Sequence, residues 1–367
     1  MSDPSPRSGI MDIAPYVGGE SNLEGQNRVI KLSSNENAFG PSPLAQEAYT
    51  QATGGLHRYP DGGCTALREA IASLHGLDVD RIICGAGSDE IINLLCQAYA
   101  GPGDEVLYSQ HGFLMYPISA KAAGATPVFA GESNLTSDVD ALLDKVSENT
   151  RLLFLANPNN PTGTYLSGDE LWRLRRGLRD DIILVIDAAY AEYATRDDYS
   201  PGIDLVDGGA NVVMTRTFSK IYGLGGVRLG WAYCPAGIAD VLSRIRVPFN
   251  VSTPAMEAGL AALGDSEFID KACAHNDIWL AWTREQVLDI GLEAPASAGN
   301  FLLVQFPVKP GQNAAMAEAA DGFLKDRGII VRRMAAYGLE DCLRITIGLE
   351  DEMRAAMGAL KEFMEQT

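Results

Sequence analysis

The sequence is poor in the residues that build metal centres and disulfide frameworks. Six cysteines (Cys64, Cys84, Cys96, Cys234, Cys273 and Cys342) are scattered along 367 residues, with no CxxC pair and no zinc-like spacing. Cys84 and Cys96 sit in apolar stretches, where a free thiol behaves as a small hydrophobe. Four histidines (His57, His75, His111 and His275) form neither HxxxH nor HExxH, which argues against histidine-based metal catalysis. Positive charge is scarce: 29 Lys and Arg face 48 Asp and Glu, a net charge of −19. That excess repels phosphate backbones and anionic lipid, so neither a nucleic acid nor a membrane surface is an expected partner. Long hydrophobic runs are missing too. Nothing reaches the ~18 consecutive apolar residues of a membrane span. Met1–Gly9 is polar and proline-bearing, unlike the ~7–15-residue apolar core of a secretion signal. The plain reading is a cytoplasmic protein with reduced thiols and no metal.

What is present is a globular composition, 46% apolar and 21% charged, which excludes a mostly disordered chain and leaves room for one or two cores. The middle of the chain alternates short apolar runs with amphipathic helical patterns. Strands are expected at Glu105–Ser109, Arg151–Ala156, Ile182–Asp187, Val212–Thr215 and Leu229–Tyr233. Helices are expected at Asp89–Ala100, with Ile91, Leu94, Leu95 and Ala98 on one face, and at Asp169–Leu178, opened by Ser167 and Glu170 at capping-box spacing. This alternation predicts an α/β fold with a largely parallel sheet covered by helices on both faces. After about Leu263 the pattern changes to long helices (Ser266–Leu288, Ala314–Arg327, Asp351–Glu365) interleaved with strands at Asn300–Phe306, Ile329–Arg332 and Leu343–Ile347. Gly328 supplies a helix stop. The expected division is an N-terminal arm over 1–44 that partly joins the small domain, a large domain over 45–263, and a smaller α+β domain over 264–367. The arginines 173, 175, 176 and 179 read as a solvated helix face.

Four segments carry candidate chemistry. Thr217-Phe218-Ser219-Lys220 follows an apolar strand, and Arg228 lies eight residues after the lysine. An isolated lysine is usually a surface residue, but one beside serine, glycine and arginine at a strand end is poorly placed to be idle. Burial beside a cation favours the neutral, nucleophilic amine. Ser219 and Arg228 are suited to a phosphate dianion. Asp187 ends the apolar run Ile182–Ile186, where α/β sheets place ligand groups; a helix N-cap is the bland alternative. Tyr190 follows three residues on. In Asn157-Pro158-Asn159-Asn160-Pro161-Thr162-Gly163, a plain turn competes with an Asn160 amide aimed at a ligand. Gly85-Ala86-Gly87-Ser88-Asp89 opens a helix and reads either as an ordinary cap or as an anion site made of backbone N–H groups.

In this order the four segments resemble the fold type I pyridoxal-phosphate enzymes of the aspartate-aminotransferase superfamily. They are most similar to the histidinol-phosphate aminotransferase family. Ile13-Ala14-Pro15-Tyr16, Leu32-Ser33-Ser34-Asn35-Glu36-Asn37, His57-Arg58-Tyr59-Pro60-Asp61-Gly62 and Leu343-Arg344-Ile345-Thr346-Ile347-Gly348 extend the resemblance across nearly the whole chain. It implies a seven-stranded, mostly parallel large-domain sheet and pyridoxal 5'-phosphate as cofactor. It also implies transamination between histidinol phosphate and 2-oxoglutarate, giving imidazole-acetol phosphate and glutamate in histidine biosynthesis. Aromatic amino-acid or prephenate transamination, and threonine-phosphate decarboxylation, are alternatives on the same scaffold. The resemblance makes Lys220 the Schiff-base lysine and proton shuttle, pairs Asp187 with the pyridine nitrogen, and puts Asn160 and Tyr190 on the phenolic oxygen. Ser219, Arg228 and the backbone of Ser88 and Asp89 take the cofactor phosphate, and Phe113 stands where a stacking aromatic, often tyrosine, is usual. Tyr59 is the tyrosine that reaches the phosphate from a neighbouring subunit, which implies a homodimer. Tyr16, Asn160, Arg332 and Arg344 face the substrate. Ala38 departs from the family's Asn-Glu-Asn-Pro stretch, and Arg333 beside Arg332 leaves open which of the two faces the pocket.

Overall fold

The structure, a computed structural model, describes residues 4–25, 28–308 and 315–366. Its centre is a seven-stranded sheet in the order Ile82–Gly85, Gly230–Tyr233, Val212–Thr217, Ile183–Asp187, Thr150–Ala156, Glu105–Ser109, Thr126–Ala130. The four pairings from Val212–Thr217 to Thr126–Ala130 are parallel. Gly230–Tyr233 runs antiparallel to both its neighbours. The five strands expected from the sequence are present to within a residue or two at each end. Ile82–Gly85 and Thr126–Ala130 are additional: the first is four residues long, and the second is half-exposed and contains a proline.

Strand alternation explains why near-continuous apolar runs are needed. Leu153, Leu155, Leu184 and Ile186 join one apolar cluster, while Leu152, Phe154, Ile183 and Val185 join another. Successive side chains point to opposite faces, and helices cover both, so every position must be apolar. Each fully buried Leu, Ile or Phe contributes about 1.5–3 kcal/mol by leaving water, so these two layers hold the sheet, and with it the strand ends, in place.

The Ser88–Tyr99 helix buries Ile91, Leu94 and Leu95 as its periodicity requires. In the Gly168–Gly177 helix, the Ser167 hydroxyl accepts from Glu170 N–H and so caps the first turn. The arginine cluster at its end is not uniformly solvated. Arg175 is buried and donates to the carbonyls of Leu178 and Arg179, because position 175 falls on the same face as Leu171. Arg173 behaves as expected and pairs with Glu170 and Asp140 at the surface.

Beyond the Ser266–Asp289 helix, the strands Phe301–Gln305, Leu339–Thr346 and Arg332–Met334 form a separate antiparallel sheet in that order. A further apolar cluster, including Leu302, Leu343, Ile345 and Leu360, packs it against the Glu350–Glu365 helix. Residues Ile30–Lys31 pair in parallel with Ile329–Ile330 as a separate two-stranded sheet, and Thr346 N–H donates to the Leu32 carbonyl at 2.9 Å, which together tie the N-terminal segment to this part of the chain. Gly328, at φ 75°, turns the chain after the Ala315–Lys325 helix in a conformation that costs glycine nothing. Ala314, expected to open that helix, lies outside the described residues. All six cysteines are free, and five of them are buried. Among the described residues, no helix is long and apolar enough to cross a membrane, and no cluster of His, Cys, Asp or Glu suits a metal ion.

Candidate active site

The carboxyl ends of the parallel strands open into a cavity of about 280 Å³. Strand ends at this edge are where an α/β sheet has free space and uncommitted backbone, and Asp187, Ala156 and Thr217 all sit there. The cavity brings together Tyr16, Ser88, Asp89, Phe113, Asn160, Asp187, Tyr190, Ser219, Lys220, Arg228, Arg332 and Arg344. Tyr59 is not among the lining residues. It is 84% exposed and stacks on Phe249, ring centroids 4.8 Å apart.

Asp187 caps no helix. Tyr116 Oη donates to its Oδ2 at 2.8 Å and Thr215 Oγ1 to its Oδ1 at 3.1 Å. Burial nevertheless pushes its carboxyl up to about 6, the two hydroxyl bonds pulling against it. A carboxylate so desolvated gains from a cation placed over it. Tyr116 was not singled out by the sequence. It is fully buried, stacked on Phe154 at 4.8 Å, and its ring presents an edge to Phe113. Its position three residues after Phe113, at the start of the Met115–Ala123 helix, is indistinguishable from an ordinary core tyrosine in the sequence.

Lys220 Nζ has one polar contact, the Ser34 carbonyl at 3.4 Å. Its ammonium is pushed down to about 8 by burial first and by the Arg344 guanidinium second, against the carboxylates of Asp89 and Glu36. Arg228, the cation that the sequence pairs with this lysine, contributes least of these. A far larger share of the amine is therefore neutral near physiological pH than in an ordinary lysine, which favours a role as nucleophile or general base.

The anion-binding end is built on the Ser88–Tyr99 helix. Gly87 is its N-cap, at φ 90°, and no side chain caps the first turn, so its N–H groups remain available. Arg228 Nη1 reaches Ser219 Oγ at 3.4 Å and Nη2 pairs with Asp89 at 3.1 Å. Arg228 itself sits at φ 60°, an uncommon backbone for a residue with a side chain. A Cβ on Gly87 would lie 2.5 Å from its guanidinium, and one on Gly230 would lie 2.4 Å from Ser88 N. Both glycines thus keep open the space between helix end and arginine.

On the opposite wall, strand pairing sets Arg332 directly across from Arg344. Like charges facing each other across two strands destabilise a sheet. Arg344 is buried. One of its terminal nitrogens donates to Asn160 Oδ1 and the other to the Ser33 carbonyl at 2.8 Å, while its Nε has no partner. Among the described residues, no carboxylate pairs with it. Arg332 donates to the Val17 carbonyl at 2.6 Å, which draws the N-terminal segment bearing Tyr16 over the cavity. Arg333 is turned by strand alternation to the other face, where it pairs with Glu318 at 2.9 Å. Arg332, then, is the one of the two that lines the cavity. Asn35, Glu36 and Tyr337 also line it, without a role foreseen from the sequence.

The donor set fits a pyridine ring carrying an aldehyde and a phosphate. It offers an uncapped helix end with an arginine and a serine for the phosphate, a buried carboxylate for a ring cation, and a buried lysine amine with a depressed pKa for the aldehyde. Phe113 is an aromatic face at the same cavity.

Residues 27–360 match the family described as "Aminotransferase class I and II". The chain is 60% identical over 364 residues to the histidinol-phosphate aminotransferase of Paramagnetospirillum magneticum, covering 99% of each. Its backbone is similar to the crystal structure of the histidinol-phosphate aminotransferase from Sinorhizobium meliloti in complex with pyridoxal-5'-phosphate. The TM-score is 0.90, with 30% identity over 100% of this chain and 99% of that one. The fold alone is shared with the L-threonine-O-3-phosphate decarboxylase of Porphyromonas gingivalis, at TM-score 0.79, 21% identity and coverage of 92% and 100%.

Proposed function

The chain belongs to the class I and II aminotransferase family, and on that premise we propose that it transfers an amino group between L-histidinol phosphate and 2-oxoglutarate, using pyridoxal phosphate. The observation that carries this reading is the pair Arg332–Arg344, two cations facing each other in a cavity whose buried guanidinium lacks a carboxylate. A pair of this kind suits a substrate that is a phosphate dianion or a dicarboxylate.

When bound, the cofactor supplies an electron-poor ring that absorbs the charge left by removal of an α-proton. The rest is done by side chains. Ser219, Arg228 and the N–H groups of Ser88 and Asp89 hold the phosphate. Asp187, held by Tyr116 and Thr215, would keep the ring nitrogen protonated. Phe113 would offer the ring an aromatic face, with no hydroxyl to add a hydrogen bond. Asn160 and Tyr190 would serve the ring oxygen. Lys220 Nζ would take the proton from the substrate's α-carbon and hold it for return, a role for which a depressed pKa is required. Arg344 binds the phosphate of one substrate and a carboxylate of the other in turn, with Arg332 and Tyr16 closing the site from the N-terminal side.

The protein works as a homodimer, and Tyr59 is donated to the neighbouring subunit's phosphate site. Its exposure, and its stacking on the half-exposed Phe249, support this: a tyrosine of no use would not be held outward by an aromatic partner. The two cores support a boundary near residue 264 between large and small domains, with the N-terminal arm attached to the latter.

The test is a substrate panel. Rates with histidinol phosphate, phenylalanine, tyrosine and prephenate, each with its matching partner, should favour histidinol phosphate by kcat/KM. A preference for any of the others would reassign the substrate and leave the chemistry intact.

A further inference from the structure

Asn35 is 1% exposed, lines the cavity, and holds φ 55°. Glycine would occupy that backbone at lower cost, so the side chain is retained for what it does. Its partners fix which way its amide points. Thr346 Oγ1 accepts the Asn35 backbone N–H at 2.9 Å and lies 3.1 Å from Asn35 Oδ1. The hydroxyl's single hydrogen is given to Oδ1, and Nδ2 donates to Tyr190 Oη at 2.9 Å. Asn300 Nδ2 clamps the same turn through the carbonyls of Asn35 and Glu36, both at 3.1 Å.

A phenol that already accepts a hydrogen bond from a buried amide must send its own hydrogen elsewhere. The Tyr190 hydroxyl is buried in the cavity wall, so that hydrogen points into the cavity. Asn160 is constrained in the same sense, because Arg344 occupies its Oδ1 and leaves Nδ2 as a donor. We infer that Asn35 is a positioning residue: through Thr346 it sets the polarity of the Tyr190 hydroxyl, so that two donors meet at one point in the cavity. Two donors at one point suit an oxygen anion, such as the phenolate of the cofactor ring, and exclude a ligand donor there. This inference rests on the cofactor reading above. It also couples that point to the small sheet, since Thr346 belongs to the Leu339–Thr346 strand.

The experiment uses three variants of the full chain. Asn35→Gly removes the amide while easing the backbone. Thr346→Val frees the amide to turn over. Asn35→Asp puts an acceptor where the donor stood, so that Tyr190 donates back into the protein. Two quantities are read on the refolded apo protein: the dissociation constant for pyridoxal phosphate and that for a deoxy analogue lacking the ring oxygen. A third, on the holoenzyme, is the pH at which the bound chromophore changes its absorption. Asn35→Asp should weaken pyridoxal phosphate about tenfold and the analogue hardly at all, as expected for one lost bond to a charged oxygen, and Asn35→Gly should weaken it by less, because Tyr190 then loses its orientation and keeps its hydrogen. The chromophore's midpoint should move up, because fewer donors favour its more negative form less. Asn35→Asp should move it further, and Thr346→Val should move it in the same direction by less. Equal weakening of both ligands, or an unmoved midpoint in all three variants, overturns the positioning role. Should Asn35→Gly fail to fold, Thr346→Val alone decides. Wild-type protein that binds neither ligand would overturn the cofactor reading, an outcome distinct from the first.

Discussion

The two walls of the cavity are built on opposite plans. Around Asp187 the large-sheet side is satisfied: two hydroxyls donate to the carboxylate and Tyr116 is stacked and fully buried, with glycines keeping the uncapped Ser88 helix end clear beside it. The small-sheet side is left short. Arg344 is buried with a free Nε and no carboxylate, opposite Arg332. A satisfied wall is rigid and binds the same ring each time. An unsatisfied one is able to take two different anions in turn, because neither is displaced by a resident counter-charge. Chemistry and selectivity are thereby assigned to different sheets.

That contrast breaks most visibly at Lys220. Lys220→Ala should lower turnover on the order of 10⁴-fold or more. Borohydride reduction followed by peptide mapping should find the cofactor on the Lys220 peptide of the wild type and nowhere in the variant. A label elsewhere would remove the premise of the large-sheet wall. Next comes Arg344→Ala, which should raise KM for both amino-group partners by about 50-fold, from the loss of charged, buried hydrogen bonds. If only one partner suffered, the shared anchor would be wrong and the small-sheet wall would serve a single substrate.

Tyr116→Phe sharpens the comparison from the other side. It should weaken cofactor binding by about tenfold and leave KM for both substrates within error, since the hydroxyl it removes bonds Asp187 and the ring contacts are kept. The depressed Lys220 amine gives a pH test on the apo protein. Uptake of pyridoxal phosphate requires the neutral amine, so its rate should climb about tenfold per pH unit and level off near pH 8. A rate still climbing beyond pH 9 would mean an unperturbed lysine. Smallest of all, Phe113→Tyr should change cofactor affinity by no more than about twofold, because stacking is unaltered.

Much of the large sheet was readable because burial on both faces forces continuous apolar runs, and those runs end where ligands bind. The antiparallel setting of Gly230–Tyr233 was not, since a four-residue strand reads the same in either direction. Among site residues, motif-borne ones such as Lys220, Asp187 and Arg228 stood out by spacing. Tyr116 and Thr215 did not, because a hydroxyl that supports another side chain resembles any core residue. The choice between Arg332 and Arg333 needed a strand register, which only the Arg332–Arg344 pairing supplies. The buried place of Arg175 was hidden for a similar reason: charge alone does not say which side of a helix is covered.

The facing arginines have one more consequence. The three-stranded sheet sets two repelling cations across from each other, and among the described residues no carboxylate pairs with Arg344. An anion bound between them would relieve the sheet as well as fill the site. Substrate anions should therefore act as folding ligands for the small lobe, raising its melting temperature with the logarithm of their concentration.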